Sequence, residues 1–201
     1  MSLPSEVPAS STPEPVTDVD TGERPDERAP VDPARRRRAL IVLGLVAVSV
    51  VVADQLTKFW IVTSIKPRME SGEGPIVLLG GFLKITYTEN TGAAFSIGAG
   101  YTWIFTIIAV IVAIVILRSA RRLGSIGWAV AFGGLLGGLL GNLIDRIVRE
   151  PSPGLGYVVD WIQLPNFAVF NIADSAIVCS AILMVLLSLR GVDFSGPRLA
   201  P

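Results

Sequence analysis

Residues 126–146 read IGWAVAFGGLLGGLLGNLIDR, an apolar run that ends in a polar cluster. As a helix rising about 1.5 Å per residue, the apolar part is long enough to cross a hydrocarbon core of about 30 Å. A cluster of glycines within it comprises Gly133, Gly134, Gly137, Gly138 and Gly141. Glycines four residues apart let a second helix approach closely, and no Lys-Ser/Thr signature of a phosphate-binding loop follows them. The run therefore predicts a membrane helix with close neighbours.

The rest of the chain also has the composition of a membrane protein. Of its 201 residues, 51% are hydrophobic, and the mean hydropathy is +0.59. Three further apolar runs, residues 39–62, 101–117 and 168–189, bring the predicted crossings to four. The first follows four arginines, as in a cleavable signal peptide, but it exceeds an h-region of about 7–15 residues and contains Asp54 and Lys58. We therefore predict an uncleaved first span.

Basic residues in the short connections predict the topology, because cytoplasmic loops carry the excess of Lys and Arg. They flank span one, join spans two and three, and follow span four: Arg35, Arg36, Arg37, Arg38, Arg118, Arg121, Arg122 and Arg190. Both termini are thus predicted to be cytoplasmic, with residues 63–100 and 147–167 facing outward. β-prone stretches in these two loops predict a small sheet. The predicted fold class is an all-α membrane protein with four transmembrane helices and a small extracytoplasmic β-sheet region.

Three parts are predicted along the chain. Residues 1–34 are rich in Pro, Ser, Glu and Asp, so they cannot offset their chain entropy by burial. We predict a disordered, basic-ended cytoplasmic tail over residues 1–38. A four-helix membrane domain follows over residues 39–190, and residues 191–201 form a short cytoplasmic tail.

The composition excludes several catalytic chemistries. The chain contains no histidine, so a Ser-His-Asp or Cys-His nucleophile, a HEXXH zinc site and a histidine proton relay all lack their central group. The single cysteine, Cys179, lies in an apolar run, which favours a buried inert thiol over a reactive one. Catalysis must therefore rely on carboxylates, amides, cations, hydroxyls or the backbone.

Four aspartates occur at or near the outward ends of the predicted spans. Asp54 and Asp145 lie near the ends of spans one and three, Asp160 lies just before span four, and Asp174 lies about two turns inside it. A charged side chain at the centre of a bilayer costs about 2.5–3.5 kcal/mol even on permissive insertion scales. Four acids at one depth therefore predict a functional cluster.

Cations and amides surround two of these acids in sequence. Asp54 and Lys58 are at i and i+4, the favourable order for an ion pair on one helix face. A structural ion pair and a substrate-headgroup site are both compatible with this spacing. Asn142, Asp145 and Arg146 project one polar face, and a cation beside Asp145 should favour its ionised form. That suits an orienting or binding role.

Asp160 and Asp174 lack an adjacent cation and are the best candidates for a catalytic pair. Two carboxyls within a few Å share one proton, so one can activate water while the other polarises a scissile carbonyl. Asn171, three residues before Asp174, can hydrogen-bond that acid or a substrate backbone. The alternatives are that Asp160 is a turn residue and that Asp174 makes an internal polar contact.

The main rival function is a proton-coupled transporter or channel, which would also place acids among membrane helices. The acids cluster on one side, however, and no series of polar residues continues from them toward the cytoplasm. An assembly protein is the third possibility.

Five ordered motifs resemble those of the lipoprotein signal peptidase family, across about residues 39–190. They are DQLTK (54–58), NTGAAFS (90–96), GNLIDR (141–146), VVDW (158–161) and FNIADS (170–175). The resemblance implies an aspartic endopeptidase of the bacterial inner membrane that cleaves diacylglyceryl-modified prolipoproteins before the lipidated cysteine, near the outer face. It implies no metal and no other cofactor. Prolipoproteins and membrane lipids are the expected partners, nucleic acid is not, and we expect a monomer.

The resemblance also implies roles for individual residues. Asp160 and Asp174 match the family's catalytic pair. The positions matching its substrate-binding or site-supporting residues are Asp54, Lys58, Asn90, Asn142, Asp145, Arg146 and Asn171. The loop of residues 90–96 is expected to cover the bound chain, with a passive connector as the alternative. Residues 1–38 depart from the family pattern, which leaves the role of the tail undefined.

Overall fold

The computed structural model describes residues 31–92 and 102–196. Within them lie helices α1 (Pro33–Trp60), α2 (Lys66–Glu70), α3 (Thr102–Ser119), α4 (Ile126–Val148) and α5 (Ile172–Leu189), and strands β1 (Ile76–Leu78), β2 (Leu83–Asn90) and β3 (Val158–Gln163). Four helical stretches in this part of the chain are long and apolar enough to cross a membrane: Pro33–Glu70, Thr102–Arg122, Ile126–Val148 and Ile172–Leu189. The predicted fold class is confirmed.

The first helix is longer at both ends than the predicted span. It begins at Pro33, where the Asp32 side chain accepts a hydrogen bond from the backbone N–H of Ala34 at 3.0 Å. Residues 33–38 are therefore helical rather than the end of a disordered tail, while residues 1–30 of the predicted tail lie outside the described residues. At the other end, a π-helical turn over Ile61–Ile65 and then α2 continue the helix into the predicted outer loop.

The fourth span begins later than predicted, which corrects the depth of Asp174. This residue is the third of α5 and lies in its first turn rather than two turns inside. Asn171 caps the helix, and the preceding Phe170 pairs with Ile162 of β3 through backbone hydrogen bonds. The N-cap and the sheet pairing thus set the start of α5 inside a run that hydropathy alone treats as continuous.

Helix α4 lies against both α1 and α5, and its glycines allow the close approach. A Cβ at Gly133 or Gly137 would lie 2.7 Å from the carbonyl oxygen of Leu43 or Ala47 in α1. Gly134 and Gly138 face α5 in the same way, where the nearest atoms belong to Ser180 and Ala173. The predicted small-residue packing faces are confirmed, one toward each neighbour.

The outward faces of the long helices are apolar and exposed, as expected for contact with lipid. Exposed examples are Leu45, Val48, Ile111, Val115, Val178 and Ile182. Cys179 in α5 is also exposed, so the prediction of a buried thiol was wrong. The reason is physical: in a membrane helix an apolar run is compatible with lipid contact and does not require burial in protein.

The sheet is antiparallel in the order β1–β2–β3. On one face of β3, Val159 and Trp161 pack against Ile61 and Ile65 of the π-helical turn. Because side chains alternate along a strand, Asp160 points to the opposite side, toward α4 and α5. The predicted β-region is confirmed, and it presents one of the candidate acids to the helix bundle.

Candidate active site

A fully buried lysine lies at the centre of the polar cluster. The Nζ of Lys58 is 2.8 Å from Asp54 Oδ2, 2.9 Å from Asp145 Oδ2 and 2.9 Å from Asn142 Oδ1. An ammonium has three donors and no acceptor, so all three donors have partners. The predicted pair of Asp54 and Lys58 is confirmed, and the complete burial of both favours the structural interpretation over headgroup binding.

The two acids that bind Lys58 each hold a different segment of the chain. Asp54 Oδ1 accepts a hydrogen bond from the backbone N–H of Ala173 at 3.0 Å, in the first turn of α5. Asp145 Oδ2 accepts from the backbone N–H of Val159 in β3 at 3.2 Å, and its Oδ1 accepts from Arg149 Nε at 2.9 Å. Through one ammonium, the network thus fixes the start of α5 against β3.

Arg146 is not the partner of Asp145, which corrects the interpretation drawn from their adjacency. Consecutive helix residues do not face each other, and Arg149, one turn later, makes the ion pair instead. The Arg146 guanidinium donates to the carbonyl oxygen of Gly92 at 3.0 Å and lies over the Phe105 ring at 5.7 Å. Arg146 therefore joins α4 to the connection that follows β2.

Three asparagines hold the carboxyls of Asp160 and Asp174. Asp160 accepts from Asn171 Nδ2 at 2.7 Å and from Asn90 Nδ2 at 2.8 Å. Asp174 accepts from Asn142 Nδ2 at 2.8 Å and from the backbone N–H of Asn171 at 3.1 Å. Every oxygen of the two carboxyls has an N–H donor, so both side chains are held in fixed orientations.

The amide orientations follow from the charge of Lys58. Because an ammonium cannot accept a hydrogen bond, the Oδ1 of Asn142 must face Lys58, and its Nδ2 is left to donate to Asp174. Asn171 also donates to Asn142 Oδ1 at 3.1 Å, while its own Oδ1 accepts from the Asp174 N–H at 2.9 Å. The buried lysine thereby orients amides that touch both acids.

Asp160 and Asp174 line the same cavity, which has a volume of about 380 Å³. Its other polar side chains are Asn90, Asn142 and Arg146. Its apolar walls come mainly from α3, α4 and α5, with Phe105, Ile108, Ala109, Leu139, Leu143, Val158, Val169 and Ile177. The structure thus brings together two acids, a cation and amides at one end of an apolar cavity between helices.

Burial raises the pKa of Asp160 from its ordinary value of 3.8 to about 7. The negative charge of Asp174 adds to this rise, whereas hydrogen bonds from Asn90 and Asn171 and the charge of Lys58 oppose it. A carboxyl with this pKa is partly protonated near neutral pH. Asp160 can therefore act as a proton donor in the neutral range.

A family model described as signal peptidase (SPase) II matches residues 46–190. The chain belongs to the signal peptidase II family. The lipoprotein signal peptidase of Leifsonia xyli subsp. xyli is 45% identical over 80% of this chain and 72% of its own length. That of Streptomyces griseus subsp. griseus is 45% identical over 90% of both chains. A bacterial membrane enzyme solved by the in meso method at 2.3 Å resolution aligns with a TM-score of 0.63 and 32% identity, covering 78% of this chain and 93% of that one.

Two supporting residues of this signal peptidase II family member were not recognised from its sequence. Gln55 donates to Asp54 at 3.1 Å and to the Gly141 carbonyl oxygen at 3.0 Å, linking α1 to α4. A Cβ at Gly156 would lie 2.7 Å from the Asp145 carbonyl oxygen, so this glycine lets the loop before β3 close on the end of α4. Gln55 lies beside Asp54 in a motif, whereas nothing in the sequence identifies Gly156. Residues 93–96 of the predicted covering loop lie outside the described residues.

Proposed function

We propose that this chain is an aspartic endopeptidase that removes signal peptides from diacylglyceryl-modified prolipoproteins, cleaving before the lipidated cysteine. The observation that carries the proposal is the placement of Asp160 and Asp174 in one cavity, each held by amides and both beside apolar walls. The names of the family and of its relatives support the substrate class. Membership of the family and the elevated pKa of Asp160 support the two-aspartate chemistry.

In the proposed mechanism Asp174 is the base and Asp160 is the acid. The Asp174 carboxylate takes a proton from water, the resulting hydroxide attacks the scissile carbonyl carbon, and Asp160 gives its proton to the carbonyl oxygen. The tetrahedral diol then collapses. Asp174 passes its proton to the leaving amine nitrogen, and a diol hydroxyl returns a proton to Asp160. The pair regains its starting protonation without a metal or nucleophilic side chain.

The remaining cavity residues suit a substrate at the boundary of lipid and water. A signal peptide must unwind locally before its amide is attacked, and the exposed backbone then needs hydrogen-bonding partners. Asn90 and Arg146 lie in the cavity and are proposed to supply them. The apolar walls between α3, α4 and α5 are proposed to hold the hydrophobic part of the substrate.

The proposed location is the bacterial inner membrane, with the site near the outer face and both termini in the cytoplasm. Arg118, Arg121 and Arg122 follow the apolar part of α3, at the opposite end of the bundle from Asp160. Under the positive-inside rule this basic end is cytoplasmic. We propose that the chain acts as a monomer, because the described residues supply both acids and all three amides.

Cleavage of a synthetic precursor across a pH series tests this function. In detergent, the purified full chain should release a peptide ending just before the cysteine from a diacylglyceryl-modified precursor. Because Asp160 loses its proton as pH rises through about 7, the rate should fall on the alkaline side of that value. It should also fall in acid, where the pair takes up a second proton. Product identity by mass spectrometry and the single-turnover rate supply the two readouts.

Two results would oppose the proposal. The first is the absence of cleavage by folded protein with the lipidated precursor, which would favour a transporter or assembly role. The second is a single-turnover rate that stays constant from the acid range to well above neutral pH. The second result would leave the peptidase activity intact but exclude the shared-proton mechanism.

A further inference from the structure

A second cleft lies at the end of the outer sheet, away from the catalytic cavity. Its volume is about 650 Å³, and its lining residues are Gly81, Lys84, Gln163, Leu164, Pro165, Asn166 and Phe167. Lys84 of β2 pairs with Gln163 of β3 in the sheet register, so the two side chains are neighbours on one face. The two cavities have no lining residue in common.

Three polar side chains of this cleft have no partner within the described residues. Lys84, Gln163 and Asn166 make neither a side-chain hydrogen bond nor an ion pair there. Lys66, another lysine of the outer region, instead lies 3.4 Å from the Glu89 carboxylate. One ammonium and two amides thus offer unused hydrogen-bond donors around a single concave surface, as an anionic group requires.

Apolar side chains at this end of the sheet are unusually exposed. Leu79 is 76% exposed, Phe82 is 59% exposed, and Phe167 is 60% exposed. Leu79 belongs to the tight turn between β1 and β2 and has a φ of 50°, a strained conformation for a branched residue. Large apolar groups around a basic centre are typical of protein segments that contact a membrane surface, and the sheet directly follows a membrane helix.

We propose that this cleft binds the headgroup of an anionic phospholipid. Lys84 pairs with the phosphate, Gln163 and Asn166 donate hydrogen bonds to its oxygens, and Leu79 and Phe82 enter the apolar part of the leaflet. The cleft includes part of the segment between β3 and α5, which connects Asp160 to Asn171. Lipid binding would therefore fix this segment at the bilayer surface. The inference does not depend on the proposed peptidase activity.

Site-specific cross-linking in nanodiscs tests the lipid site. The full chain is placed in phosphatidylcholine nanodiscs that contain a small fraction of phosphatidylglycerol with a photoactivatable headgroup, and labelled peptides are identified by mass spectrometry. Peptides containing residues 79–84 and 163–167 should be labelled. Because a lysine near an anionic surface contributes about a fivefold gain in binding, Lys84→Gln should lower this labelling about fivefold. The matched control, Lys66→Gln, removes a paired lysine and should leave the labelling unchanged.

Competition distinguishes a lipid from a soluble phosphate. Unlabelled phosphatidylglycerol should suppress labelling of the cleft, and glycerol phosphate at equal concentration should not. Unchanged labelling in Lys84→Gln, or equal suppression by glycerol phosphate, would overturn the proposal. If Lys84→Gln fails to fold, Gln163→Leu replaces it in the comparison. This variant keeps the strand and removes one donor, so labelling of the cleft should again decrease.

Discussion

Asp160→Asn and Asp174→Asn should each lower the rate of precursor cleavage by about 10²–10⁴-fold, the usual contribution of a positioned acid or base. An asparagine keeps the size of the side chain but can neither accept a proton from water nor donate one as an acid. The amides and backbone around each site remain in place. The measurement is the single-turnover rate with a synthetic diacylglyceryl-modified precursor, compared with the thermal unfolding midpoint.

Glu73→Gln is the matched control for these two variants. Glu73 is an exposed carboxylate that pairs with Arg68 at 2.7 Å and does not line the cavity that contains Asp160 and Asp174. Its replacement should leave both the rate and the unfolding midpoint near wild-type values. If Asp160→Asn or Asp174→Asn retains a rate close to that of Glu73→Gln, the residue concerned is not a member of the pair.

Lys58→Met should destabilise the fold by about 3–5 kcal/mol, the usual effect of removing one partner from a buried ion pair. The substitution leaves Asp54 and Asp145 buried without their shared cation, and it frees Asn142 to turn its amide. Both the attachment of α5 and the orientation of Asp174 are lost as a result. The measurement is the unfolding midpoint in one detergent, with the cleavage rate as the second readout.

The control for Lys58→Met is Lys66→Met, which removes a partly exposed lysine from weaker ion pairs at 3.4 and 4.0 Å. Exposed pairs contribute about 0–1 kcal/mol, so this variant should be nearly as stable as wild type. A double variant, Lys58→Met with Asp54→Asn, removes the charge left unpaired, because Asp145 keeps its ion pair with Arg149, and it should recover part of the midpoint. Equal midpoints for Lys58→Met and Lys66→Met would contradict the central role of Lys58.

Hydropathy and local spacing were sufficient to predict most of the fold. Four apolar runs predicted the four membrane-length helices of the described residues, and the glycine repeat predicted the faces on which α4 meets α1 and α5. These features follow from the bilayer thickness and from the helical period, which act on short stretches of sequence. The pairing of Asp54 with Lys58 was predictable for the same reason, because the two residues are one helical turn apart.

The site itself depends on contacts between residues distant in sequence. The bonds from Lys58 to Asn142 and Asp145 cross between α1 and α4, and no local spacing encodes them. Adjacency suggested Arg146 as the partner of Asp145, whereas helix geometry places Arg149 there. The absence of a neighbouring cation selected Asp160 and Asp174 as candidates, but the three amides that hold them belong to three separate segments of the chain.

Infrared difference spectroscopy of the carboxyl groups tests the shared proton most directly. Wild type is compared with Asp160→Asn and with Asp174→Asn near neutral pH, in a detergent without ester groups. Subtracting the spectra cancels the bands of the other buried acids. The difference between wild type and Asp160→Asn should contain the C=O band of a protonated carboxylic acid, which decreases as pH rises through about 7. A difference spectrum that contains only ionised carboxylate bands at every pH would contradict the proposed pair.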